Sequence, residues 1–366
     1  MSATTKFIGT HDGVFHCDEA LACFMLKQLP QFKDFDILRT RDPAKLAQAE
    51  VVVDVGGVFD PVTKRFDHHQ REFNLTIKDF HLGVRTTNPS APVKLSSAGL
   101  VYSHYGRELI LVTLDKALRG LDVAGDATNK FDKSLLTTIL EDVKDKRMLD
   151  ALFSRVYTSF VEEMDAIDNG REIVDGDAVV YNYRFNTDIS SRVGRLNPID
   201  REANSDTRYE LFLKAMQLVG RELIESILAQ ALVWLPSQKK LRACILDRFT
   251  VDPSGAIVEI KGDNFSWKSS IHEMEEELDI VDQIKFVVYN DASVVAPWRA
   301  AAVPLAPRSF ISRIPLKEEW RGVRDDKLAE LSGIPDAVFV HASGFVGGAR
   351  SRDGVLEMIR KTLSVS

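Results

Sequence analysis

The chain is poor in cysteine. Its three cysteines, Cys17, Cys23 and Cys244 among 366 residues, form no C-x-x-C pair and leave one thiol unpaired under any pairing, which excludes a disulfide framework and points to a reducing compartment. Long apolar runs are missing as well: none approaches the ~20 residues that a membrane span needs. Nothing before Lys6 resembles a signal peptide, and ordered-looking sequence begins at KFIGTH, which leaves no room for an Arg-rich transit peptide. A nuclear or cytoplasmic protein is expected, with no membrane partner. Positive charge is not in excess either. With 47 Lys and Arg against 54 Asp and Glu, the formal charge is −7 at pH 7, so a polyanion must be held by a local basic patch or a metal. What remains is ordinary globular composition, 45% hydrophobic and 28% charged, long enough for two domains of about 150 residues each.

Short β-rich runs alternate with helical patterns in the first half: KFIGT (6–10), an amphipathic helix from Asp18 to Leu29, FDILRT (35–40), VVVDVGG (51–57) and a strand ending near Phe66. Such alternation predicts an α/β fold with a parallel sheet, whose ligands sit outside the carboxyl ends of the strands. The polar clusters THDGVFHCDE, DVGG and DHH each follow directly on an apolar run. From Ser96 to about Asn169 the pattern is mainly helical, with a surface loop expected around 122–133. A strand-like DAVVYNYRF (177–185) and a long amphipathic helix from Leu211 to Ala231 come next. After Trp234, ACILDRF, IVEIKG, IKFVVYND, WRAAAVP and AVFVHA read as strands of a second α/β domain that ends in a helix from about Asp353. The expected break lies between Gly170 and Asp177, which gives domains over 1–172 and 173–366.

Four clusters carry the candidate chemistry. His11, His16 and Asp18 fall at a strand-to-helix turn, where imidazole and carboxylate together suit borderline divalent metals such as Mn²⁺, Fe²⁺ or Zn²⁺; the bland alternative makes Asp18 a helix cap and the histidines surface residues. Asp54 stands at the end of a strand before Gly56 and Gly57, where backbone can approach a ligand closely. Asp67, His68 and His69 end another short strand; neighbouring histidines on extended chain point opposite ways, so one can bind metal while the other faces substrate. In MDAIDNG, Asp165 and Asp168 share a helix face with Glu162 a turn earlier, and an acidic helix end capped by Asn169-Gly170 is the plain alternative. Together His11, His16, Asp18, Asp54, His68 and Asp165 suffice for two metals bridged by Asp54. Two such ions clamp the attacking and leaving oxygens of a phosphoryl displacement.

This series of strand-end clusters closing on DHH resembles the DHH phosphoesterase superfamily. The segments THDGVFHCDEALA, VVVDVGG, RFDHHQREFN, EEMDAIDNG, SSRVGRLNP and HASGFVGGARS look like the melanocyte-proliferating-gene family within it, from about Lys6 to Met358. The resemblance implies a DHH-type amino-terminal domain with flanking helices and a smaller carboxyl-terminal substrate-binding domain. It also implies a metal-dependent hydrolase with 3′-to-5′ RNA exonuclease activity, acting in nucleus and mitochondrion. Position by position it gives His11, His16, Asp18, Asp54 and His68 as ligands of two divalent ions, Mn²⁺ ahead of Mg²⁺ or Zn²⁺, with His69 near the phosphate and Asp67 beside it. Asp165 is the fourth-motif ligand with Asp168 as its competitor. The superfamily usually has an aspartate where His16 stands, so one negative charge is missing.

In the second domain, Gly344, Gly347 and Gly348 are expected in a loop between strand and helix whose N–H groups hold a phosphate, flanked by His341 and Arg350; the resemblance to a substrate-binding domain decides this against an empty glycine turn. Arg299, Arg308, Arg313, Lys317, Arg321 and Arg324 form a candidate polyanion face with Trp298, Phe310 and Trp320 for base stacking, and Arg192 and Arg195 are further phosphate contacts. RNA or an oligonucleotide is the expected partner. A small-nucleotide or pyrophosphate phosphohydrolase shares the metals but needs a tight basic pocket, and a non-catalytic RNA-binding protein would keep the metal for structure alone.

Overall fold

A computed structural model describes residues 6–364 except 124–130, 174–185, 201, 262–266, 269, 292–294 and 308. The DAVVYNYRF strand, most of the expected 122–133 loop and Arg308 lie outside the described residues. Two compact units divide the chain, Met1–Leu232 and Val233–Ser366.

The first unit is built on strands β1 (Phe7–Thr10), β2 (Asp36–Arg39), β3 (Val51–Val53), β4 (Phe59–Asp60) and β5 (Arg65–Phe66). Their order is β2-β1-β3-β5-β4. The first four in that order run parallel as expected, but β4 returns antiparallel beside β5, so the sheet is mixed. The helices are α1 (Cys17–Gln28), α2 (Pro43–Leu46), α3 (Ile77–Phe80), α4 (Ser97–Leu118), α5 (Lys133–Asp142), α6 (Lys146–Val156), α7 (Glu162–Asp168), α8 (Ile189–Gly194) and α9 (Ser205–Ala229). Every residue of α1 from Cys17 to Leu26 is buried. A helix buried on every side belongs in a core, and α1, apolar from Ala20 to Leu26, packs against both α4 and α9. A Cβ at Gly220 of α9 would overlap the Phe24 ring of α1, so the two helices approach as closely as glycine allows. That contact places α9 in the first unit; the sequence reading had put this helix beyond the break at 172/173, because apolar periodicity shows that a helix packs but not on what.

The second unit is also α/β. Strands β6 (Ile257–Ile260), β7 (Phe286–Asn290), β8 (Trp298–Ala302), β9 (Ala337–Val340) and β10 (Val346–Ala349) form a mixed sheet in the order β6-β7-β8-β10-β9. Helices α10 (Leu235–Leu246), α11 (Arg248–Val251), α12 (Ile271–Glu277), α13 (Asp325–Ser332) and α14 (Arg352–Leu363) accompany it. One apolar cluster joins Phe286, Val288 and Ala300 to Leu328, Val355 and Ile359. The other joins Val258, Val287 and Ala301 to Leu241, Ile245, Ile271 and Met274. ACILDRF is therefore helical rather than a strand: Pro236 opens α10, and Leu241 and Ile245, four apart, both face the sheet. No helix among the described residues is long and apolar enough to cross a membrane.

Candidate metal centre

Three strand ends, the start of α1 and the end of α7 meet in a cavity of about 710 Å³ lined by residues of all four ligand clusters. After β1, the chain turns through His11 to His16, which precedes the first turn of α1. Glu19, three residues on, accepts the His16 N–H at 3.0 Å, the acidic half of a capping box. Its carboxylate also lies 2.9 Å from His11 Nε2. Sequence reasoning passed over Glu19, although an acid at that position of a new helix was the available signal. Asp18 does not cap its own helix. Its oxygens accept the Ser97 and Ala98 N–H groups at 2.9 and 2.5 Å, so it caps the first turn of α4.

The amino end of α4 gathers two further carboxylates. Ser96 donates its N–H and Oγ–H to Asp165 Oδ1 at 2.9 and 2.7 Å, and Ser97 Oγ stands 3.5 Å from Asp54 Oδ1. Unpaired N–H groups and the positive end of the helix dipole favour anions there. Asp54 follows β3 in a left-handed conformation, φ 56°, which is uncommon for a residue with a side chain and is eased by Gly56 (φ 98°) and Gly57 (φ 67°) behind it. Its two oxygens face different imidazoles: Oδ2 is 3.4 Å from His11 Nε2, and Oδ1 is 3.6 Å from His68 Nε2. The expected bridging position is thus the geometric centre of the cluster.

His68 is buried beside β5, with Nε2 3.1 Å from Asp168 Oδ2 and 3.8 Å from Asp18 Oδ2. His69 turns outward with its side chain 62% exposed, tied through Nδ1 to Asp67 Oδ1 at 2.7 Å. Asp67 in turn accepts the Gly57 N–H at 2.6 Å. Asp165 is corrected here. Three donors occupy its two oxygens, Ser96 N–H and Oγ–H on one and Tyr157 O–H on the other at 2.9 Å, and a Cβ at Gly99 would overlap it, so it braces α4 and does not reach the cluster. Asp168, three residues later, does. Glu162 is likewise spent on the Thr87 N–H and hydroxyl.

Electrostatics tie these groups together. Burial opposes charge on His11, but hydrogen bonds to Asp54 and Glu19 prevail and lift its pKa to about 9. The same contest at His68, won by Asp168 and Asp54, lifts it to about 10. Asp54 is held well below the usual carboxylate range, burial notwithstanding, by His11 and His68. Asp18 is pushed well up by burial and by Asp168 and Asp54. A cluster of acids whose salt-bridge partners among the described residues are all imidazoles fits a cation other than Lys or Arg. Buried His68 Nδ1 and His11 Nδ1 make no hydrogen bond among the described residues. Ligand atoms of His11, His16, Glu19 and Asp54, of Asp54, His68 and His69, and of Asp18, His68 and Asp168 lie within 4.8 Å of one another in each group. These mixed imidazole and carboxylate sets can bind a divalent metal.

The comparisons with known proteins agree with the motifs. The family model MYG1_exonuc, described as Uncharacterised protein family (UPF0160), matches residues 7–363. The chain belongs to the MYG1 family. It is 42% identical to the protein named MYG1 exonuclease of Bos taurus over 359 residues, 98% of this chain and 84% of that one. Identity to MYG1 exonuclease of Homo sapiens is 42% over 360 residues, 98% and 85% of the two chains. MYG1 protein C27H6.8 of Caenorhabditis elegans is 42% identical over 363 residues, 99% of this chain and 96% of that one. Family resemblance read from motifs is thus borne out over nearly the whole length.

The substrate contacts expected elsewhere fare unevenly. Arg192 pairs with Glu222 at 2.8 Å, whereas exposed Arg195 donates to the Asn186 carbonyl. In the second unit Gly347 and Gly348 do not form a loop. They lie in β10 opposite Ala300 and Arg299 of β8, where a Cβ at Gly347 would come within 2.7 Å of Met358 Sδ; their glycine is a packing requirement. Arg299 is engaged by Asp291 at 3.2 Å and lies over the Phe339 ring. Arg313, 3% exposed, is locked to Glu275 at 2.7 Å in the interior, and Trp320 is core. His341 and Arg350 are exposed, as is Phe310.

Proposed function

We propose that this MYG1-family chain is a metal-dependent phosphodiester hydrolase, a 3′-to-5′ RNA exonuclease whose site lies in the cavity of the first unit. The observation that carries this reading is the convergence of buried, unbonded imidazole nitrogens with carboxylates at the ends of β1, β3 and β5. Relatives named exonuclease support the reaction class. One ion would be held by His11, His16 and Asp54, and a second by Asp18, Asp54, His68 and Asp168, and Mn²⁺ is among the divalent metals this mixed imidazole and carboxylate set suits. Bound divalent ions supply Lewis acidity toward phosphoryl oxygens and acidify water.

The chain's own groups do the rest. Hydrogen bonding to Asp67 raises the His69 pKa. His69 therefore holds a proton at Nδ1 against Asp67 and meets the charge that develops on phosphate. Arg41 and Lys94 line the same cavity and bind the substrate's phosphates. Exposed Arg195 of the first unit and exposed His341 and Arg350 of the second are further contacts for RNA. Free Cys17, Cys23 and Cys244 fit a nuclear or cytoplasmic setting.

The test is Mn²⁺-dependent hydrolysis of an end-labelled single-stranded RNA oligomer by the purified chain, beside pyrophosphate and the Asp67→Ala, His68→Ala double variant. Stepwise shortening from the 3′ end, lost in the variant, is expected. Phosphate release from pyrophosphate with intact RNA would overturn the exonuclease reading, and binding of RNA without cleavage by any divalent metal would overturn hydrolysis altogether.

A further inference from the structure

We infer that Glu19 is a direct metal ligand, completing the ion site of His11, His16 and Asp54; this rests on the two-ion reading above. Three observations converge on it. Glu19 has no exposed side-chain surface, and its salt-bridge partner among the described residues is the His11 imidazole. Buried carboxylates are paired or bind metal, and the group that pairs with Glu19 is itself one of the candidate ligands. Second, its oxygen lies within 4.8 Å of donor atoms of His11, His16 and Asp54; bonds of roughly 2.0–2.2 Å on each side of one ion reach across about 4.4 Å at most, so side-chain adjustments of a few tenths of an ångström gather these donors on it. Third, the charges close. The three ligand groups contain four carboxylates, Asp18, Glu19, Asp54 and Asp168. With Glu19 counted among them, four negative charges match two divalent cations. His16 contributes no charge, and Glu19 stands one turn further along α1.

The rival role, a pure helix cap, is separable by chemistry. A capping box accepts Gln as readily as Glu, so Glu19→Gln keeps the bond to the His16 N–H and removes only the charge. The chain stripped of metal by chelation is titrated with Mn²⁺, free ion being followed by electron paramagnetic resonance, and metal-free melting serves as the folding control. Wild type should take up two equivalents. In Glu19→Gln one equivalent should weaken by more than the roughly 10–100-fold that loss of a mere supporting partner produces.

A Glu19→Cys variant provides an independent readout: a thiolate in the ion site should give a ligand-to-metal absorption with Cd²⁺ beyond any seen in wild type. Two undiminished Mn²⁺ equivalents in Glu19→Gln would overturn the assignment and leave the two-ion reading standing. If Glu19→Gln fails to fold, absence of the Cd²⁺ band in Glu19→Cys overturns it instead. Wild type that binds no Mn²⁺ would remove the two-ion reading itself.

Discussion

Asp165 and Asp168 show how much can turn on three residues of one helix. They share a face of α7, and a sequence offers no reason to prefer either. The choice is made by Ser96 and Tyr157, which fill the oxygens of Asp165 and leave Asp168 to face His68. Asp168→Asn should therefore reduce metal-dependent hydrolysis by about 100-fold or more, while Asp165→Asn keeps activity within a few-fold, measured as initial rates at saturating Mn²⁺. Asp165 should show itself in stability. Burial lifts its pKa from 3.8 to about 7, so between those values the folded state holds a proton that the unfolded chain releases. Stability then falls as pH rises from about 4 to about 7. Asp165→Asn should lose part of that slope in melting scans across this window. Other site residues were legible because their signal is local. Asp54 after VVV and Asp67-His68-His69 after RF are chemistry at strand ends, and the structure brings them together. Of Glu19, only the cap position was legible, as an acid three residues into a new helix, whereas its place beside His11 appears only once the turn has folded.

At the level of elements, the turn from His11 to His16 is held from outside. Asn197 accepts the Phe15 N–H at 3.0 Å and donates to the Phe15 carbonyl at 2.9 Å, a two-point clamp across 182 residues of sequence. Arg39 donates to the His11 and Gly13 carbonyls at 3.1 and 2.8 Å, its guanidinium over the Phe212 ring. The motif SSRVGRLNP drew attention for its arginines, yet its asparagine touches the turn that carries the candidate ligands His11 and His16. Asn197→Ala should weaken Mn²⁺ binding by roughly 10–100-fold, as loss of an orienting partner does, with only a small drop in metal-free melting temperature. Arg192→Ala should leave Mn²⁺ binding unchanged. The glycine pair at 347 and 348 misled for the opposite reason: in sequence it looks like a phosphate loop, and only the order β8-β10-β9 shows why a central strand needs residues without side chains.

Across the whole molecule, composition and strand-helix alternation disclosed two α/β units, but not that α9 belongs with α1, since a tertiary contact such as Gly220 on Phe24 leaves no periodic trace. Charge was equally ambiguous. Arg313 counted as part of a basic face, yet the fold spends it on Glu275, His272 and the Ile284 carbonyl. Removing one member of a buried pair costs about 3–5 kcal/mol, so Arg313→Ala should lower the urea midpoint markedly while leaving the salt dependence of RNA binding by the folded protein unchanged. Exposed Arg350 should show the reverse pattern. Metal should also act on the whole first unit. Saturating Mn²⁺ should raise its melting temperature in proportion to the logarithm of free ion, and chelation should reverse the gain.

The amino end of α4 has an evolutionary corollary. Ser96 and Ser97 anchor Asp165, Asp18 and Asp54 at once, so the fitness effect of changing any one depends on which of the others is still present. Ser97 holds Asp18 only through its N–H, which any residue but proline keeps, and its hydroxyl reaches Asp54 alone; a lineage released from selection for hydrolysis should see Ser97 drift together with Asp54 while Ser96 and Asp165, which brace the helix, are retained. Decay of the chemistry and decay of the fold would then be written in adjacent serines.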